Sequence, residues 1–166
     1  MLNESKLLIF LLLSSIFALV FVYISQFVFG FEPCILCLHQ RKPFFGIIAL
    51  TSLTLLFFPQ KNFQKIAFFF CIFFLAINLG IASYHVGVEQ KIFRGPDSCQ
   101  TGQNLNEAKN LQDLRNMIAK TKAVRCDEPS FKFLEISMAG WNMLYCLALI
   151  VSSLFLFKIG RRRRTF

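Results

Sequence analysis

The stretch FEPCILCLHQRKPFFG, Phe31 to Gly46, places two thiols three residues apart and a guanidinium four residues after the second. A C-x-x-C pair supports three readings: a redox dithiol, half of a metal site, or an incidental pair. Exchange chemistry needs a thiolate, and the local sequence favours one at Cys34. Pro33 suits the start of a helix, so Cys34 falls in its first turn, where unpaired N–H groups and the macrodipole stabilise negative charge. Cys37 shares that face at i+3, and Arg41 continues it at i+7 from Cys34. A guanidinium keeps its charge at any working pH, so it favours anions beside it. Pro43 is expected to break or kink the helix where an apolar run begins. Four-cysteine zinc sites usually draw on two close pairs. The other outward pair, Cys99 and Cys126, is 27 positions apart, which disfavours zinc, and no metal is expected.

The elements that position these groups are membrane helices. Of the 166 residues, 55% are apolar and 22 are Phe, more apolar surface than a soluble domain of this size needs. Four runs approach the roughly 20 residues that cross hydrocarbon: about 7–29, 43–58 (or 34–58 if its helix begins near Cys34), 66–84 and 136–157. The expected fold is an all-α membrane protein, a four-transmembrane-helix bundle in a single domain. A long outer loop, 85–135, joins spans three and four. It carries eight basic and seven acidic side chains. Within it NLNEAKNLQDLRNMIAK sets Leu111, Leu114, Met117 and Ile118 on one face, with Asn104 and Glu107 spaced as a capping box. That segment reads as a short helix packed on its loop or lying at the membrane interface. Pro59–Lys65 reads as a tight turn.

The formal charge of +9 does not point to nucleic acid. The largest cluster, Arg161 to Arg164, abuts an apolar run, as a cytoplasmic flank facing anionic lipid does. Lys6, Lys61, Lys65, Lys158 and these arginines mark one side, and Arg41 and Lys42 the other. Both termini are therefore expected in the cytoplasm. Cys34, Cys37, Cys99 and Cys126 then share the outer face, where disulfides persist if the membrane is a bacterial inner membrane. Cys71 and Cys146 fall inside spans and read as packing residues. His85 ends span three at the depth of Arg41, either as a hydrogen-bonded interfacial residue or as a chemical one. Arg41 reads alternatively as an interfacial anchor, and Trp141 most simply as an aromatic-belt residue. Cys99, in RGPDSCQTG, and Cys126, in VRCDEP, lie in exposed loop sequence. Four thiols allow three pairings, and spacing does not choose among them.

With these residues in place the chain resembles the DsbB family of bacterial inner-membrane disulfide-bond formation proteins. The resemblance rests on PCILCLHQR after span one, SYHVGVEQ ending span three, Cys99 and Cys126 in the long loop, and SMAGW entering span four, and it covers essentially the whole chain. It implies a quinone-dependent thiol oxidase that reoxidises a periplasmic DsbA-like dithiol oxidase of thioredoxin fold. It implies that Cys99 and Cys126 form the disulfide the partner attacks, with the mixed disulfide at Cys99. Cys34 and Cys37 would take the electrons next, with Cys37 nearer the quinone. Arg41 and His85, with Trp141 near them, would line the headgroup site of ubiquinone or menaquinone. Gln40 departs from members that carry an acidic residue there. Two rivals remain at this level. One is a vitamin K epoxide reductase-like quinone reductase with electrons flowing the other way. The other is a four-span scaffold or metal-binding protein.

Overall fold

The computed structural model describes residues 4–96, 126 and 132–162. Four helices occur among them: α1 Glu4–Phe27, α2 Ile35–Phe57, α3 Lys61–Glu89 and α4 Met138–Arg162. Three of these, Glu4–Phe27, Lys61–Glu89 and Met138–Gly160, are long and apolar enough to cross a membrane. The expected loop helix, Cys99 and the arginines after Arg162 lie outside the described residues.

The charged residues at the span ends do not stop the helices. Lys61 and Lys65 form the first turns of α3, so the expected seven-residue turn contracts to about Phe58–Gln60. At its other end α3 carries His85 and Glu89 as helical residues rather than as loop. Pro43 lies inside α2 and the helix continues through it, so of the expected break or kink the break does not occur. Pro43 removes the one bond its N–H would give the carbonyl of His39. His39 is exposed at the helix's polar end, where a freed carbonyl can be solvated. Ahead of Pro43, α2 holds His39, Gln40, Arg41 and Lys42, and behind it the sequence turns apolar. Thr51 and Thr54 interrupt that apolar part, but their hydroxyls donate to the carbonyls of Ile47 at 2.6 Å and Leu50 at 2.7 Å. Both threonine hydroxyls are thus paired within the helix.

The helices pack α1 on α2, α2 on α3 and α3 on α4. Leu8, Leu11, Ile47, Phe68, Cys71, Leu75 and Cys146 form the shared interior, and Phe68 stacks on Phe157 at 4.9 Å. Cys71 and Cys146 are free and fully buried there, as packing residues should be. The outward faces are apolar as well: Phe17, Phe21, Phe69, Phe70, Phe73 and Phe155 are all more than half exposed. That inside-out surface suits lipid, and it leaves van der Waals fit and interhelical hydrogen bonds to hold the bundle. One such bond runs from Tyr145 Oη to the Ser14 carbonyl at 2.9 Å.

Two tight connections set the mouth of the bundle. After α1 the chain turns at Gly30, whose φ of +69° an L side chain rarely adopts, and delivers Pro33 and Cys34 to the start of α2. Before α4, Lys132–Phe133 pairs antiparallel with Ile136–Ser137. Leu134 and Glu135 link them with φ of 53° and 64°. Positive φ at both central residues marks the hairpin turn whose twist matches its strands, here without the usual Asn or Gly. Span four accordingly begins as a helix at Met138 rather than at Ile136.

Candidate functional site

Cys34 is the N-cap of α2, with φ −73° and ψ 169°, and its Sγ accepts the N–H of Cys37 at 3.3 Å. The side chain thus satisfies one of the donors a helix start leaves open. Cys37 follows one turn on, and the two sulfurs lie 3.1 Å apart as free thiols. From α3, His85 Nε2 reaches Cys34 Sγ at 3.5 Å and Glu89 Oε1 at 3.7 Å. His85 Nδ1 is met by Gln40 Nε2 at 3.1 Å. Cys34 and His85 are 6% and 2% exposed, so this group is enclosed at the outer end of the bundle.

The two thiols are unequal. The hydrogen bond from Cys37, helped by His85, holds Cys34 well below the usual thiol range against the opposing effect of burial. The same sulfur contact, with burial, pushes Cys37 above that range. Cys37 therefore keeps its proton and Cys34 accepts it in a hydrogen bond as a thiolate. A lowered pKa means that acidification leaves the reactive form in place. Alkylation of reduced Cys34 is expected to slow by less than about twofold from about pH 8 to about pH 6, where an ordinary thiol slows by roughly 80-fold. Mass-resolved iodoacetamide labelling over that range checks it, and a steep fall would mean that the cap does not hold the thiolate.

Arg41 belongs to the same mouth. It is buried, its Nη1 donates to Gln26 Oε1 at 2.8 Å, and its guanidinium lies over the Tyr23 ring at 5.1 Å. Its Nε is buried and makes no hydrogen bond. Arg41, Cys34, Cys37, His85 and Asn142 line a cleft of about 130 Å³ whose walls include Leu19, Val22, Phe31 and Phe44. A planar acceptor with carbonyl oxygens fits such a place: apolar sides for a ring and an unspent cationic N–H for an oxygen. A metal suits it less. The donor atoms of Cys34, Cys37 and His85 lie within 4.8 Å of one another, but Nε2 faces a thiolate and a carboxylate and needs its proton to do so. Trp141 is 38% exposed and is not among the residues lining the cleft. From α4 the lining residues are Met138, Ala139 and Asn142.

Cys126 is disulfide-bonded and 1% exposed. It packs in one small cluster with Cys34, Leu36 and Val88, against which Cys37 also rests. Five of the seven residues singled out from sequence therefore meet here: Cys34, Cys37, Arg41, His85 and Cys126. Four others were not foreseen as parts of the site: Gln26, Gln40, Glu89 and Asn142. Gln26 and Asn142 had a readable signal, since each is a polar side chain at the edge of an apolar run.

Comparison with known proteins agrees with this geometry. Residues 4–156 match the family described as Disulfide bond formation protein DsbB. An uncharacterized protein of Rickettsia prowazekii (strain Madrid E) is 28% identical over 137 residues, 82% of this chain and 78% of the relative. The Disulfide bond formation protein B of Xylella fastidiosa (strain Temecula1 / ATCC 700964) is 30% identical over 141 residues, 82% of this chain and 80% of the relative. That of Blochmanniella floridana is 25% identical over 148 residues, 87% and 83%.

Proposed function

The chain belongs to the DsbB family of disulfide bond formation proteins, multi-pass in the membrane, and from that premise we propose that it is a thiol:quinone oxidoreductase of the bacterial inner membrane. Both termini face the cytoplasm and the redox cysteines face the periplasm. Its dithiol partner is a DsbA-like oxidase of thioredoxin fold, and its electron acceptor is ubiquinone or menaquinone. The observation that carries this reading is the packing of disulfide-bonded Cys126 against the Cys34–Cys37 thiols beside Arg41 and His85.

The exchange runs in balanced steps. A partner thiolate attacks Cys99 of a Cys99–Cys126 disulfide, and Cys126 leaves as a thiolate. The partner's second thiol resolves the mixed disulfide, so the partner leaves oxidised and Cys99 is reduced. Cys126 then attacks Cys34 of the Cys34–Cys37 disulfide, and Cys37 leaves and takes a proton. Cys99 displaces Cys34 from Cys126, which restores Cys99–Cys126 and leaves Cys34 as a thiolate. The resulting pair, a Cys34 thiolate beside a protonated Cys37, is the pair the geometry favours. A quinone bound there would supply the sink for two electrons and two protons as these two sulfurs rejoin, Cys37 giving one proton and the surrounding water the other. Arg41 Nε supplies a cationic hydrogen bond to an oxygen that gains charge, and the cleft's apolar walls hold the ring. His85 Nε2–H stabilises the thiolate until that moment.

The reading is tested by giving purified protein a reduced thioredoxin-fold dithiol and a short-chain ubiquinone or menaquinone. Quinone absorbance is expected to fall by one equivalent for each partner disulfide formed. A partner that is oxidised with no loss of quinone, or is not oxidised at all, would remove the oxidase reading.

A further inference from the structure

A row of three carboxamides continues from His85 into the bundle, and the chemistry described so far does not use it. Gln40 Oε1 accepts from Asn142 Nδ2 at 3.0 Å. The same Asn142 nitrogen donates to Asn78 Oδ1 at 3.3 Å. Asn142 Oδ1 accepts from the Cys146 thiol at 3.8 Å. The row crosses three helices, from α2 to α4 to α3, and Asn78 lies two turns before His85 on the same face of α3. Gln40 and Asn78 are 6% and 0% exposed. Amides at this depth are expensive unless paired, and here the pairing is incomplete, because Asn78 Nδ2 has no partner. An apolar trio would fill the space without that penalty.

We infer that Gln40 and Asn142, anchored by Asn78, are positioning residues that hold the His85 ring with its Nε2–H aimed at Cys34 Sγ. The logic is donor counting. Cys34, when it is a thiolate, and Glu89, when ionised, offer Nε2 only acceptors, so Nε2 must carry a proton. A neutral imidazole then has one lone pair left, on Nδ1, which needs a donor. Gln40 can meet Nδ1 through its amide nitrogen or its oxygen. Asn142 occupies the oxygen and so presents the nitrogen. Asn78 Oδ1 in turn holds the Asn142 amino group toward Gln40. The proton's place on His85 is thereby set through two further side chains by a residue buried in the bundle.

The other titratable groups around the ring do not substitute for the row. Cys37 and Arg41 come from α2, Glu89 from α3, Tyr23 from α1 and Glu32 from the connecting segment. From α4, Met138, Ala139 and Asn142 bring no charge. The group that the pairings above place on Nδ1 is the Gln40 amide.

This inference rests on the proposed role of Cys34, but its test is separate from quinone turnover. Full-length protein labelled with nitrogen-15 histidine is reduced in detergent, and the His85 ring nitrogens are followed by NMR while Cys34 alkylation is timed. Wild type is expected to show protonated Nε2 and bare Nδ1. In Gln40→Met, signals of both ring tautomers are expected, with Cys34 alkylation slowed about 10-fold on the acid limb of its pH profile, the effect of one unit of thiol titration. Gln40→Glu, nearly the same size, places an acceptor on Nδ1 and is expected to give a doubly protonated ring at neutral pH. If Gln40→Met does not fold, Asn142→Ser, which loses one of the two amide donors, is expected to weaken the tautomer preference. Unchanged ring protonation in Gln40→Glu and in either other variant would overturn the inference, even in a protein that reduces quinone normally. Conversely, responsive ring signals in a protein that never reduces quinone would leave this inference standing and remove the functional reading alone.

Discussion

Replacing Cys37 with serine is expected to lower quinone-linked turnover on the order of 1000-fold or more, the scale on which removal of a covalent participant acts. Cys37 is the sulfur that must rejoin Cys34, and no other thiol among the described residues stands in its place, since Cys71 and Cys146 are buried in the bundle interior. The hydroxyl can still hydrogen-bond to the Cys34 sulfur, so the fold and the cap should survive while the disulfide cannot form. Cys34→Ser is expected to fail equally, because it removes the sulfur that Cys126 would attack. Cys71→Ala, far from the cleft, should stay within about twofold of wild type, and it controls for general damage. Steady-state quinone reduction with reduced partner measures all three. Activity in Cys37→Ser within about tenfold of wild type would show that electrons leave by another path.

Arg41→Ala is expected to raise the quinone KM by about 10- to 100-fold, with a smaller change in kcat, because a hydrogen bond to a charged donor contributes about 1.5–3 kcal/mol. The free Nε is the group that makes this claim specific. Arg41 Nη1 is committed to Gln26 and the guanidinium face to Tyr23, and both contacts tie α2 to α1. These contacts orient the fork and leave Nε for a ligand oxygen. Arg41→Lys keeps a charge but has no planar fork to be held this way, so it should recover only part of the loss. Thermal unfolding in detergent separates binding from stability, since losing the α1 contacts also weakens the bundle. A normal KM in Arg41→Ala would return Arg41 to the role of interfacial anchor.

Much of this arrangement was readable in the residues, for identifiable reasons. Long apolar runs mark helices because a helix satisfies its own backbone hydrogen bonds in hydrocarbon, so α1, α3 and α4 appear within a few residues of their expected places. Their ends were harder to read. Lys61, Lys65 and Glu89 extend α3 beyond the apolar run because a helix can leave the membrane into water. Pro43 shows the opposite limit: its ring forbids one hydrogen bond, and α2 tolerates that loss beside exposed His39. Cys34, Cys37 and Arg41 were legible because their spacing lies along one helix. Gln40 and Asn78 were not, and neither was their link through Asn142, because the three meet across three helices and amide contacts leave no periodic trace. Glu89 was counted as loop charge until helix α3 carried it to one turn beyond His85.

The measurement that reaches the central claim most directly is disulfide mapping through a single turnover. Protein reduced by a limiting amount of reduced partner is mixed with one equivalent of quinone, quenched in acid, blocked and digested. Free Cys34 and Cys37 are expected to disappear into a Cys34–Cys37 disulfide at the rate of quinol formation, with Cys126 remaining oxidised throughout that step. Quinol that forms while Cys34 and Cys37 stay free, or a Cys34–Cys37 disulfide that forms with no quinol, would contradict the account.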